Sequence, residues 1–388
     1  DFPQVVYYHQ ENRGLSVARN VGARLAKGEI VAYTDSDCVV DEHWLRYLVD
    51  AMHDQGVAAI GGPNITPPSD GWVAKCVAAS PGNPSHVMLD DQHAEHVPGC
   101  NMAFHRETLL GLGGFDPQFR QAGDDVDVCW RFLDAGLPIG YASGAMVWHQ
   151  RRATVSAYAR QQKGYGRSEA MVHFKHPQRF ATLGRSRWKG IIYGDGAVGL
   201  PLLPEVVYHG RFGAGLFQTI YRHNRYGWWS VMLSLEWHLA ALFVLLLATL
   251  FPALALVSVA MWSATAILAV RSAWQVWLPD GHPRWCRPLV AYLYILQPIL
   301  RGFHRVTYLL GKKRLPAIKA EGTNGQLAGK RISATQRDVY WDSDEALGRE
   351  LFLEEFVVAA KRAGWYGDFD NAWADWDVKL VGDRWHDI

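Results

Sequence analysis

The spacing of apolar and polar positions changes along this chain, and each change marks an element. Residues 30–34 (Ile-Val-Ala-Tyr-Thr) form an apolar run too short for a helix and rich in β-branched and aromatic side chains. That pattern predicts a buried strand, and it runs directly into Asp35-Ser-Asp37. Before it, Ser16 to Lys27 has helical spacing, with Ser16 as candidate N-cap and Gly28 as stop. After it, a helix over about 42–55, capped by Asp41 and closed by Gly56, leads to a second buried strand, Val57-Ala-Ala-Ile-Gly-Gly62. Gln4 to Tyr8 reads as a further strand, and Asp124 opens a helix that continues through Leu133. Strands alternating with helices at these intervals predict an α/β domain with a mostly parallel sheet.

A different pattern begins further on. From Trp237 to Val270 there are 34 residues without Lys, Arg, Asp or Glu. One helix of that length would reach about 51 Å at ~1.5 Å per residue, against a hydrocarbon core of roughly 30 Å. Pro252 offers a break, so two membrane-spanning helices are predicted, over about 228–251 and 253–273. Trp228, Trp229, Trp274 and Trp277 stand where an interfacial belt would. Glu236, inside the first span, should face protein and not lipid. Residues 289–310 alternate apolar and basic positions and read as an amphipathic helix on the anionic membrane surface, with a third span as the alternative.

Charge sharpens this picture. The net charge of +1 argues against a general nucleic-acid binder, but its distribution is uneven. Residues 160–225 carry eleven Lys/Arg against three acids, residues 271–319 nine against one, and residues 335–388 six against thirteen. Basic blocks on both sides of the apolar stretch predict a multi-pass protein of the cell (inner) membrane with its catalytic part in the cytoplasm. The five cysteines are scattered without a Cys-x-x-Cys pair, which fits a reducing compartment. Past Lys330 the chain becomes acidic and aromatic; 344–364 reads as an amphipathic helix, and the Trp-rich segment after it as a small accessory module.

The candidate chemistry lies in the first half. A strand ending in Asp35 and Asp37 delivers two hard oxygen donors to the edge where α/β sheets place ligands, which suits Mg²⁺ or Mn²⁺. Three carboxylates, Asp124, Asp125 and Asp127, open a later helix, more than capping requires. Upstream of both lies Asn12-Arg-Gly-Leu-Ser-Val-Ala-Arg-Asn-Val-Gly22. In this order and at these intervals, over about residues 1–170, the three elements resemble the family 2 glycosyltransferases, inverting enzymes with a GT-A fold.

The resemblance implies a nucleotide-sugar donor, UDP-linked, and a divalent metal, Mn²⁺ or Mg²⁺, on Asp35 and Asp37 with His149 completing the site. It places Arg19, Asp35, Asp37 and Gln161 at the donor, Asn101 and Asp127 at the acceptor, and the family's Glu-Asp pair at Asp124 and Asp125, with Asp125 as general base. The family's processive synthases carry Gln-x-x-Arg-Trp where this chain has Gln161, Gly164 and Tyr165, a departure that points to non-processive transfer. An earlier β-α-β unit of the family, holding the nucleotide base, is not found, so the catalytic domain reads as N-terminally incomplete. The expected organisation is a GT-A-like catalytic domain with a basic juxtamembrane region over 1–225, transmembrane helices and an interfacial helix over 226–312, and an acidic module over 313–388. Its expected acceptor is a glycan or a lipid-linked sugar. The rival readings are a processive polysaccharide synthase and a catalytically silent membrane scaffold that binds glycan.

Overall fold

The structure, a computed structural model, describes residues 5–90, 92–180, 186, 188–193, 228–311, 366–369 and 378–381. Helices α1 (Leu15–Leu25), α2 (Trp44–Gln55), α3 (Trp72–Ala78), α4 (Arg106–Gly111), α5 (Asp124–Asp134) and α6 (Val155–Lys175) alternate with strands. The strands are β1 (Ile30–Thr34), β2 (Cys38–Val40), β3 (Ala59–Gly61), β4 (Asn64–Ile65), β5 (His86–Met88), β6 (His93–His96), β7 (Asn101–His105), β8 (Ile139–Tyr141), β9 (Val147–His149) and β10 (Ile191–Tyr193). Seven of them form one sheet in the order β1-β7-β3-β8-β6-β5-β10, and β2-β9-β4 form a second.

The sheet is mixed, not mostly parallel. Among the described residues only β3–β8 and β4–β9 pair in parallel, while β7 runs antiparallel to both β1 and β3. The short link between β5 and β6 permits only an antiparallel partner, because a parallel one needs a long crossover. Val5 to Tyr8 are exposed and form no strand among the described residues.

Alternation across β7 sorts two cores, as a pleated strand with period two must. Met102 and Phe104 pack with Val31, Phe115, Val128 and Phe132 beneath α1, α4 and α5. Ala103 faces the other way, with Ile60, Leu48, Met52 and Trp44 beneath α2. The edges of α1 differ from the sequence reading. Gly14 occupies the N-cap position, while the Ser16 hydroxyl is buried and donates to the Phe119 carbonyl at 2.6 Å. The helix ends at Leu25, before Gly28. For α2, Gly56 closes the helix in the left-handed region at φ 61°, where the lack of a Cβ removes the steric penalty.

The apolar stretch folds as α7 (Leu235–Leu247) and α8 (Leu254–Gln275), followed by α9 (Cys286–Gly311). Residues 228–233 are a 3-10 turn, and Ser234 caps α7 through its hydroxyl. The two expected full spans are therefore not both present. At 13 residues α7 is about 20 Å long, short of the roughly 30 Å a bilayer core requires. Among the described residues, α8 alone is long and apolar enough to cross a membrane, by length and composition. The outer faces of both helices expose Leu242, Phe243, Leu246, Leu256 and Ile267. Nor is α9 a surface helix: Val290, Leu293 and Tyr294 are buried against α3, α6 and α8. Glu236, at the start of α7, meets Arg305 of α9 at 3.0 Å, which satisfies the expectation of a protein neighbour.

By their contacts, residues 1–205 with 220–318 form one unit, so α7, α8 and α9 belong with the sheet. Residues 206–219 with 319–388 form a second; its described part is β11 (Tyr366–Phe369) paired antiparallel with β12 (Val378–Val381). The helix expected over 344–364 and most of the basic juxtamembrane region, 194–227, lie outside the described residues.

Two contacts fix α6 in place. A Cβ on Gly166 would lie 2.3 Å from the Arg301 carbonyl oxygen, so glycine is what lets α6 meet the backbone of α9. At the other end, Asp127 of α5 is fully buried, with Lys175 at 2.7 Å, His176 at 2.9 Å and Arg131 at 3.0 Å. This corrects the expectation that Asp127 binds acceptor: its oxygens are already spent in joining α5 to α6. Burial alone would raise the Asp127 pKa, but His176, Arg131 and Lys175 outweigh it and hold it at about 2. A pKa lowered on folding stabilises above the ordinary carboxylate range, and that stability is lost as pH falls from about 4 towards 2. Asp127→Asn should therefore cost about 2 kcal/mol at pH 7, with the gap to wild type closing near pH 2 in denaturant titrations. Gly166→Ala should cost about 1–3 kcal/mol at any pH, read in the same titrations; an unchanged midpoint would contradict the close helix approach.

Candidate active site

Strand register assembles this site. Thr34 pairs with Asn101 across β1–β7, so Asp35, the next residue, emerges beside the Pro98–Cys100 loop. Cys38 pairs with His149 across β2–β9, which brings the His149 ring to Asp37. Helix α1 carries Arg19 to the same point. Its guanidinium is 7% exposed and binds three groups: Asp124, Asp35 at 3.3 Å and the Gly99 carbonyl at 2.9 Å. Arg19 thus ties the end of β1 to the start of α5 and to the loop before β7. It was expected to contact donor phosphates; its donors are committed within the protein instead. Burial opposes its charge, but Asp124, Asp35 and Asp125 raise its pKa above the usual arginine value.

Asp35, Asp37 and His149 each offer one ligand atom, all within 4.8 Å of one another. Two carboxylates and an imidazole at this spacing fit Mn²⁺ or Mg²⁺ by donor type. Asp37 is also bound by Arg152, at 3.2 Å, and by His149 Nε2, at 3.4 Å. The His149 hydrogen bond, with Arg152 beside it, overcomes burial and lowers the Asp37 pKa. Arg151 lies 3.3 Å from His149 Nδ1. A guanidinium can only donate, so Nδ1 accepts and Nε2 carries the ring proton toward Asp37. His149 is a hydrogen-bond partner of Asp37 in this arrangement and becomes a ligand only by giving up that proton. The fit to a hard cation rests mainly on the two carboxylates. His149 also clusters with the sulfurs of Cys38 and Cys100, within the same 4.8 Å.

The two acidic residues of α5 sit in contrasting surroundings. Asp124 is 1% exposed and locked to Arg19. Burial, with the Asp125 charge adding to it, pushes Asp124 up to about 6 against the pull of Arg19. Asp125 is 24% exposed, and its carboxylate accepts from the Gly99 amide at 3.1 Å and the Val126 amide at 2.9 Å. Burial would raise Asp125, but the His96 imidazole, Arg19 and the Gly99 amide prevail and hold it well below the usual carboxylate range. By pKa alone Asp124 would be the better proton acceptor. Geometry favours Asp125, because only its carboxylate is not closed off by a guanidinium.

A cavity of about 880 Å³ collects these groups. Arg19, Asp35, Asp124, Asp125, His149 and Arg152 line one end, and Gln161 and Tyr165 of α6 the middle. Asp37 reaches it through its partners His149 and Arg152. The other end is walled by Leu233 and Leu235 near α7 and by Tyr294, Pro298 and Arg301 of α9. Gln161 donates to the Tyr165 hydroxyl at 3.1 Å. Asn101, expected at the acceptor, is fully buried outside this cavity. Its amide donates to the Pro63 and Ala145 carbonyls at 2.9 and 2.7 Å and accepts from the Trp44 indole at 2.8 Å, so it braces the loops around β7. Sequence reasoning missed His96 and Arg152, and named Tyr165 only as a departure from the Arg-Trp pair. The first belongs to a strand with no motif around it, and Arg152 was legible only as a basic residue three positions after His149.

Residues 2–164 match the family described as glycosyltransferase like family 2. A pre-mycofactocin glycosyltransferase of Mycobacterium tuberculosis is 28% identical over 184 residues, covering 46% of this chain and 39% of that protein. A glucosyl-dolichyl phosphate glucuronosyltransferase of Haloferax volcanii is 30% identical over 161 residues, covering 38% of this chain and 50% of that one. This chain thus spans at most half the length of either relative. Among solved structures, a mannosyltransferase of Pyrobaculum calidifontis aligns at a TM-score of 0.32 and 23% identity, covering 44% of this chain and 46% of that one, a likeness too partial to carry the fold. The sequence match is the stronger finding: residues 2–164 are a glycosyltransferase family 2-like domain.

Proposed function

We propose that this chain transfers a sugar from a UDP-linked donor to a glycan or lipid-linked acceptor, with inversion and without processivity, beside a membrane. The observation that carries the reading is the shared cavity, in which Asp35, His149 and Arg152 stand with Asp125. In a single displacement the acceptor hydroxyl attacks the anomeric carbon while the diphosphate departs, and inversion follows from the one-step geometry. Asp125 receives the hydroxyl proton, aimed by the Gly99 and Val126 amides on its two oxygens. Arg19 and Asp124 hold that carboxylate's helix in place. A divalent cation held by Asp35, Asp37 and His149 would supply Lewis-acid stabilisation to the leaving diphosphate. Arg152 contacts Asp37 and is 40% exposed, so it retains donors for a phosphate where Gly164 and Tyr165 offer no guanidinium.

Two features support a lipid-linked acceptor. The cavity extends from the carboxylates to the base of the apolar helices, and those helices present an exposed apolar face of the kind that marks membrane contact. The Haloferax relative is named for a dolichyl phosphate-linked sugar, which fits the same class.

Asp125→Asn should reduce transfer by at least about 100-fold while UDP binding stays within a factor of two or so. The assay is UDP release from a panel of UDP-sugars by the full chain in detergent, with Mn²⁺ and with chelator. Full turnover by Asp125→Asn would remove the base, and no turnover of any donor by the wild type would favour a silent glycan-binding protein.

A further inference from the structure

His96 is the last residue of β6, and its ring is buried against the cavity wall. Nδ1 lies 3.0 Å from the Ser85 carbonyl oxygen. A carbonyl only accepts, so Nδ1 carries the proton and, in the neutral ring, Nε2 presents a lone pair. Nε2 is buried and makes no hydrogen bond, and it lies 3.6 Å from Asp125 Oδ2. That distance is too long for a hydrogen bond. Unprotonated, this nitrogen and the Asp125 carboxylate present lone pairs to each other; protonated, the ring is the foremost of the groups that hold the Asp125 pKa down, so a single proton between them satisfies both. A buried polar atom without a partner is costly, so Nε2 is a favourable resting place for a proton released beside Asp125.

Resting on the reading of Asp125 as the base, we propose that Asp125 and His96 take up the acceptor's proton as a pair. As an oxygen lone pair of the acceptor forms the bond to the anomeric carbon, the carbon–oxygen bond to the diphosphate breaks and its electron pair leaves with the phosphate. The O–H proton passes to Asp125 and comes to rest on His96 Nε2, giving an imidazolium beside a carboxylate. The Ser85 carbonyl keeps the ring in the tautomer that can receive it. The charge then separates by one hydrogen bond within the protein, and the cavity gives the proton its exit.

The surroundings suit a ring that changes charge. Asp125 from α5 is its anionic neighbour among the described ion pairs. His86 from β5 also lies near it, and burial, followed by the charge that a protonated His96 carries, drives His86 down to about 3, so it stays neutral. The Trp188 ring stands 5.6 Å away, tilted against the imidazole. Glu95, the adjacent residue, turns away to Arg179.

The test uses the full chain and whichever of UDP-glucose, UDP-galactose or UDP-glucuronic acid the wild type turns over. His96→Gln keeps a polar amide in the same space but cannot hold a proton. It should lower kcat by about 100-fold with the donor KM little changed, and the acid limb of the wild-type kcat profile should be lost in this variant. In His96→Ala, added imidazole should restore part of kcat. An unchanged kcat in His96→Gln overturns the proposal. So does a loss in both variants with an unmoved pH profile and no response to imidazole, which would make His96 a packing residue. Asp125→Asn separates the two readings: full turnover there removes the base itself, whereas loss there beside an active His96→Gln removes only the pair.

Discussion

One buried guanidinium holds this site together. Arg19 reaches from α1 to Asp124 on α5, to Asp35 at the end of β1 and to the Gly99 carbonyl, three segments separated by up to about a hundred residues in sequence. A charge at that depth is tolerated only when paired and hydrogen bonded, so the three partners must stay where they are for Arg19 to remain charged. The constraint also runs the other way. Two carboxylate clusters that would repel one another are kept on one cavity by the cation between them. The Gly99 amide that orients Asp125 belongs to the same residue whose carbonyl Arg19 binds. Positioning of Asp125 and positioning of Asp35 are therefore one structural fact.

A second constraint joins the chemistry to the apolar helices. Gly166 and Gly302 each sit where a Cβ would strike a neighbour, the first against the α9 backbone and the second against Leu235. Small residues bring α6, α9 and the start of α7 close together, and the gap they leave is the far end of the cavity. Glu169 lies between Arg301 and Arg305, and Arg305 continues to Glu236, so the charged groups at that end are largely paired with each other. Among the described residues, apolar walls with Arg152 and Arg160 complete the lining.

Much of this was legible in the sequence because local pattern decided it. The run into Asp35 and Asp37 is a strand, α5 opens on Asp124, and a break falls between two apolar helices near Pro252. What was not legible depends on long-range pairing. Sheet direction could not be read from alternating elements, since β7 inserts antiparallel between β1 and β3. Asn101 and Asp127 have the chemistry of binding residues, yet the Trp44 indole and two carbonyls claim the first, and Lys175, His176 and Arg131 the second. Arg19 was singled out for donor phosphates, yet it binds Asp124, Asp35 and Gly99, because its burial is set by α1 packing over residues far along the chain. His96 carried no signal at all: only the fold brings its ring to Asp125. The span count failed for a simpler reason, since absence of charge does not say where a helix begins, and Ser234 caps α7 late.

The most direct measurement is a double-mutant cycle between Arg19 and Asp124, using Arg19→Lys, Asp124→Asn and the double variant in the UDP-release assay. If one guanidinium fixes both sides of the cavity, the second substitution should cost little once the first is made, giving a coupling on the order of 1–3 kcal/mol. Additive losses, with the double variant as poor as the product of the singles, would contradict the clamp.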